Sequence, residues 1–134
     1  MRELKKATYI CYAIQAVLVF VFVLNKVLSL QSIALIPFNT WIIPVIHFPN
    51  IILCTILFIS AFNSALRKAA PDLYDDLFGQ NPLGFLGYKG LGFAFRRNGE
   101  NEAVNKIRAY ARSHYLLVFI IYLEIVLTSV LLPA

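Results

Sequence analysis

Long apolar runs alternate with short polar interruptions along this chain, and the interruptions differ in kind. The first run, Ala7 to Leu30, carries a single charge, Lys26. Its stretch to Asn25 approaches the roughly 20 residues that cross a bilayer core, and Lys26 falls where its stem can reach the headgroups. A second run, Ile51 to Lys68, has only about 16 apolar residues, short of that length. The pattern therefore predicts a helix over about 49–66 that recruits part of the upstream "WIIPVIHF", bent at Pro44 or Pro49. The third run begins inside a polar segment. A 3.6-residue period places Val104, Ile107, Ala111 and Tyr115 on one side. It continues unbroken into "YLLVFIIYLEIVLTSVLLPA", predicting a helix over about 101–132 that would be about 48 Å long, with its membrane part over about 113–133.

The interruptions carry different signals. Residues 31–48 hold Pro37, Pro44 and a tryptophan, Trp41, in apolar company. Proline opposes a regular helix and aromatics favour the membrane–water boundary, so this is predicted as an interfacial segment. Residues 67–112 form the polar loop. Within it "PDLYDDLFG" has proline at a first helical position, acidic residues in the first turns and Gly79 as a stop. Leu73, Leu77 and Phe78 share a face, with Tyr74 beside it, opposite Asp72, Asp75 and Asp76. That is an amphipathic surface helix.

Composition decides what the runs mean. The 134 residues are 60% hydrophobic and only 14% charged, with mean hydropathy +0.73. A domain this small has too little interior to bury such an excess, so lipid must be part of the solvent. The reading is an all-α membrane protein: one membrane domain, three transmembrane helices (the first about 7–30), and a membrane-hugging cytoplasmic loop containing short amphipathic helices. The basic start resembles a signal peptide, but the run is long and no small-x-small site follows, which makes it a signal-anchor helix.

The net charge of +5 reads as topology rather than as affinity for nucleic acid. Of the 12 Lys and Arg, all but Lys26 lie in the leader or the 67–112 loop. The positive-inside rule then predicts a multi-pass protein with N-terminus and loop cytoplasmic and C-terminus outside. Cys11 and Cys54 each sit near the start of an apolar run. Antiparallel helices would put them in opposite leaflets, as small buried apolar side chains.

Residues 71–95 contain five of the six glycines. "GFLGYKGLGF" has no G-x-x-x-x-G-K-[ST], and Gly90 and Gly92 are followed by Phe95 where a dinucleotide fingerprint needs glycine. The glycines read instead as joints, letting Phe85, Leu86, Leu91, Phe93 and Phe95 tuck into the membrane interface or against a partner. Tyr74, Phe85, Tyr88, Phe93 and Phe95 are the expected interface residues of this loop. Lys89, Arg96 and Arg97 are expected to contact anionic headgroups or a partner.

Glu124 lies midway along the third span. An intramembrane carboxylate is costly and is a functional hypothesis by default: proton relay, ion pathway, or pairing with another subunit. The structural alternative is a protonated carboxyl hydrogen-bonded to a neighbouring helix, with Gln15 or Thr55 as partner. Ser60 and Ser64, and equally Ala61 and Ala65, form small-xxx-small pairs that permit close helix approach. His47 and His114 have no companions at metal-ligand spacing, and no nucleophile–base–acid set is legible. No catalytic, metal or cofactor site is therefore expected, and no enzymatic activity.

From Phe58 onward, "FNSALRK", "APDLYDDLFG" and a basic amphipathic stretch before the last span resemble the layout of small bacterial inner-membrane proteins of the universal stress protein B type. Leu66, Arg67, Pro71, Leu73 and Tyr74 carry the resemblance. It implies a small inner-membrane protein without a clear enzymatic role; the additional first helix and proline-rich segment depart from it. The expected function is that of an accessory, stabilising or regulatory subunit of a larger membrane complex, with lipids and other membrane subunits as partners. The alternatives are a homo-oligomeric transporter or channel built around Glu124 and an immunity-type or stress-related membrane protein. A holin is disfavoured by the uncharged ending "VLLPA".

Overall fold

The computed structural model describes residues 1–30, 42–79, 81, 83–99 and 101–131. Every regular element among them is helical: α1 (Arg2–Leu30), α2 (Ile42–Ala69), α3 (Pro71–Phe78), a 3-10 turn (Gly84–Leu86), α4 (Tyr88–Phe95) and α5 (Glu102–Leu131). Stretches of 27, 25 and 26 residues in α1, α2 and α5 are long and apolar enough to cross a membrane. The chain is an all-α membrane protein in which these three helices pack against one another. The short helices form a cap on one end of the bundle.

Two of the long helices start earlier than their apolar runs. α1 takes in the basic leader, because nothing in "RELKK" breaks a helix and Leu4 is buried in the cap-end core. α2 begins at Ile42, upstream of the expected 49, and carries Pro49 inside it. Pro44 lies in its first turn, where the missing N–H has no intrahelical partner to lose. Pro49 forfeits one bond, but its ring is on the exposed face. In lipid a continuous helix is the cheapest way to satisfy the backbone, which favours extension through both prolines. The expected interfacial segment is thus divided: 42–48 belongs to α2, and 31–41, with Pro37 and Trp41, lies outside the described residues.

The core has two parts with different physical causes. At the capped end Phe58, Phe62, Tyr74, Phe78, Phe85 and Phe93 are buried together with Leu4, Leu66, Ile107 and Ala111. Phe62 is the hub, with ring centroids 4.5 Å from Phe85, 5.6 Å from Phe93 and 5.7 Å from Phe78. Here water is near, so burial of aromatic area drives the packing. Further along the bundle the buried apolar set shrinks to Cys11, Cys54, Leu117 and Ile121. Lipid is as apolar as these side chains, so this level depends on close packing and polar contacts instead.

The cap is built by local signals and one close approach. α3 starts at Pro71 and stops at Gly79, whose φ of +54° favours glycine. The stretch expected to be glycine-jointed is helical from Tyr88 to Phe95, with Gly90 and Gly92 inside it. Gly90 is required because a Cβ there would lie 1.9 Å from the carbonyl oxygen of Phe85. α5 is entered through Asn101, whose Oδ1 accepts the N–H of Val104 at 3.1 Å.

Candidate functional site

The interior of the three-helix level carries polar side chains beside its apolar set. On α1 the buried inward positions Leu4, Thr8, Cys11 and Gln15 recur at the 3-and-4 spacing of knobs-into-holes packing, and Asn25 is buried ten residues further on. On α2 the matching stripe is His47, Asn50, Cys54 and Phe58. α5 contributes His114, Leu117 and Ile121, with Glu124 one turn beyond.

These side chains form one directional chain of hydrogen bonds across all three helices. The Cys54 thiol donates to Asn50 Oδ1 (3.4 Å), and Asn50 Nδ2 donates to Gln15 Oε1 (2.9 Å). Gln15 Nε2 then donates to Glu124 Oε2 (2.5 Å). At the other end, the Cys11 thiol contacts the Cys54 carbonyl at 3.6 Å. Each amide in the chain accepts through oxygen and donates through nitrogen, so donor and acceptor demands agree at every link. His47 Nε2 stands 3.8 Å from the same Glu124 oxygen, and its ring lies 5.4 Å from that of Phe22. Its Nδ1 is buried without a hydrogen-bond partner among the described residues.

Glu124 is not sealed. Its side chain keeps 29% of its accessible surface, opening into a groove of about 500 Å³ between α1 and α5 that Tyr12, Phe20 and Leu117 help to line. Nearer the cap, Tyr12 donates to the Ser113 carbonyl at 2.8 Å and accepts from the Ser113 hydroxyl at 3.0 Å. His114 stacks on Phe58 with centroids 4.2 Å apart and rings 8° from parallel.

Gln15 and Glu124 therefore meet. Thr55, the other expected partner, lies apart and lines a groove between α2 and α5. Asn50, His47 and the two thiols belong to the network without having been singled out for it. The available signal was that each occupies a heptad-like inward position on its helix. Cys11 and Cys54 also correct an expectation, since they are neighbours rather than residents of opposite leaflets. The cause is the length of α2: it begins at Ile42, so Cys54 falls near its middle, level with the first half of α1.

The loop residues separate into two groups. Tyr74, Phe85 and Phe93 are buried against their own chain. Tyr115 donates its hydroxyl proton to the Phe85 carbonyl, which locks the 3-10 turn onto α5. Tyr88 and Phe95 are exposed, as are Lys89, Arg96 and Arg97. The small pairs divide likewise: Ala61 and Ala65 pack into the cap-end core, while Ser60 and Ser64 face the α2/α5 groove.

Arg108, part of the polar loop's basic set, is buried in the cap. It donates to the Arg97 carbonyl (3.1 Å) and Asn105 Oδ1 (3.3 Å), with its guanidinium 5.2 Å from the Phe93 ring centroid. It ties the end of α4 to α5. Among the described residues no three His, Cys, Asp or Glu side chains converge on a metal position. No protein-family model matches the chain, and no curated protein or solved structure matches it.

Proposed function

We propose that this chain is a non-catalytic accessory subunit of a larger membrane protein complex, seated in the cell inner membrane with its N-terminus and cap on the cytoplasmic side. The observation that carries the reading is the hydrogen-bond chain ending at Glu124. Gln15 holds the carboxyl and Asn50 holds Gln15 in turn, through amide groups that keep their own protons and are poor relays. Such a network serves packing and register. What remains outward is a surface for docking: apolar span faces, and Tyr88 and Phe95 on the cap beside Lys89, Arg96 and Arg97. Aromatic and arginine side chains are the typical anchors of protein interfaces.

Extraction from the native membrane in mild detergent, followed by native mass spectrometry, tests the proposal. The chain is expected to travel with other membrane proteins. A lone monomer from its own membrane would count against the accessory role. A second reading, a transporter unit, is favoured by the partial exposure of Glu124 on the α1/α5 groove and by the nearby His47. It requires solute or proton flux in liposomes that Glu124→Gln abolishes; absent or unchanged flux removes it.

A further inference from the structure

We infer that the groove between α2 and α5, on the far side of α2 from the polar chain, is a binding site for one anionic glycerophospholipid. The groove has a volume of about 1030 Å³ and follows α2 from Ile51 to Lys68, roughly 26 Å along the helix axis. Its chemistry changes in one direction. The end farther from Arg67 and Lys68 is walled by Ile52, Ile56 and Ile59 of α2 with Val118 of α5. Next come Ser60, Asn63 and Ser64, and the mouth is flanked by Arg67 and Lys68 in the last turn of α2.

That sequence of surfaces matches a phospholipid laid tail-inward. Acyl chain lies against the isoleucines, ester and glycerol oxygens lie beside the hydroxyls and the amide, and phosphate lies at the two cations. Basic residues at the end of an interhelical groove favour an anionic headgroup. The cap completes the enclosure. Leu83 and Leu86, both more than half exposed in the chain alone, line the groove from the cap side, with Phe85 and Tyr115 in its wall. Arg67 is held in place by the Tyr74 ring, whose centroid is 4.5 Å from the guanidinium carbon. The α1/α5 groove has the carboxyl of Glu124 and no cation among its lining residues, and the smaller groove beside α4 offers the single cation Arg112. Lipid binding here does not depend on the accessory role.

The test uses the full chain in nanodiscs of phosphatidylcholine with one quarter phosphatidylglycerol, moved into detergent and weighed by native mass spectrometry. One phosphatidylglycerol per chain is expected to be retained in preference to phosphatidylcholine. Removing both cations in Arg67→Gln/Lys68→Gln should weaken that retention about 30-fold, from two headgroup-facing charges. The leader pair Arg2→Gln/Lys6→Gln, exposed and outside the groove, should change it less than about twofold. Ser60→Phe, which leaves the charges and fills the groove, should also abolish retention; circular dichroism establishes that each variant is folded. Equal retention of phosphatidylcholine, or equal loss from the leader pair, would overturn the site. So would efficient disulfide cross-linking of Ser60→Cys between two chains, which would make the groove's occupant a second copy.

Discussion

Gln15 of α1 and Glu124 of α5, 109 positions apart, meet through a 2.5 Å hydrogen bond inside the helix bundle. The bond joins the first and last spans, and Asn50 holds Gln15 from the second. Removing the acceptor leaves an amide N–H without a partner in a low-dielectric interior. Glu124→Leu should therefore destabilise the bundle by about 1–2 kcal/mol, while Glu124→Gln, which keeps an acceptor oxygen, should cost less. A double-mutant cycle with Gln15→Leu should give a coupling near 1 kcal/mol. Loss of helicity on titration with sodium dodecyl sulfate measures all three; a coupling of zero would show that the contact holds nothing together.

Gly90 and Gly92 are two residues apart on α4 but should respond in opposite ways. A methyl group at 90 would run into the Phe85 backbone, whereas nothing lies within 4 Å of one at 92. Gly90→Ala is expected to displace the 3-10 turn and lower stability by about 1–3 kcal/mol or more. Gly92→Ala should be neutral or stabilising by up to about 1 kcal/mol, from improved helix propensity. Thermal unfolding and the rate of proteolysis within 79–101 report both. Equal tolerance at the two positions would mean that α4 is packed differently.

The thiols provide a test of helix register. Cys11 and Cys54 are each 1% exposed and lie side by side. A membrane-permeant maleimide should label neither in mild micelles and both after unfolding in sodium dodecyl sulfate. Rapid labelling of one alone in the folded state would indicate that α1 and α2 are shifted relative to this arrangement.

Phe62 and Phe95 separate the cap's core from its outward surface. Phe62 is fully buried and Phe95 is 61% exposed. Phe62→Ala should cost about 3–5 kcal/mol through cavity formation, and Phe95→Ala about 0.5 kcal/mol or less in the isolated chain. If the chain is an accessory subunit docked through its cap, Phe95→Ala should still reduce co-purification of its partners. Calorimetry of the purified chain and pull-down from native membranes measure the two effects separately.

Local chemistry determined much of this protein. Hydropathy marks that there are three spans, because a helix crossing lipid must be apolar along most of its length. The second run by itself was too short to fix where α2 begins. Proline at 71 and glycine at 79 delimit α3, because restricted φ and access to positive φ are properties of single residues. The 104–107–111 spacing announces that the last span is entered from a longer amphipathic helix. The tertiary structure decided the rest. Nothing in the apolar runs says how far α1 slides along α2 or how each helix is rotated, and those two quantities bring Cys11 to Cys54 and Gln15 to Asn50 and Glu124. The same holds in the cap, where Phe85 and Phe93 turn inward and Phe95 outward although all three share one aromatic–glycine stretch. Which aromatic is covered depends on the surface that α2 and α5 present beneath the cap, a surface that exists only once the helices have packed.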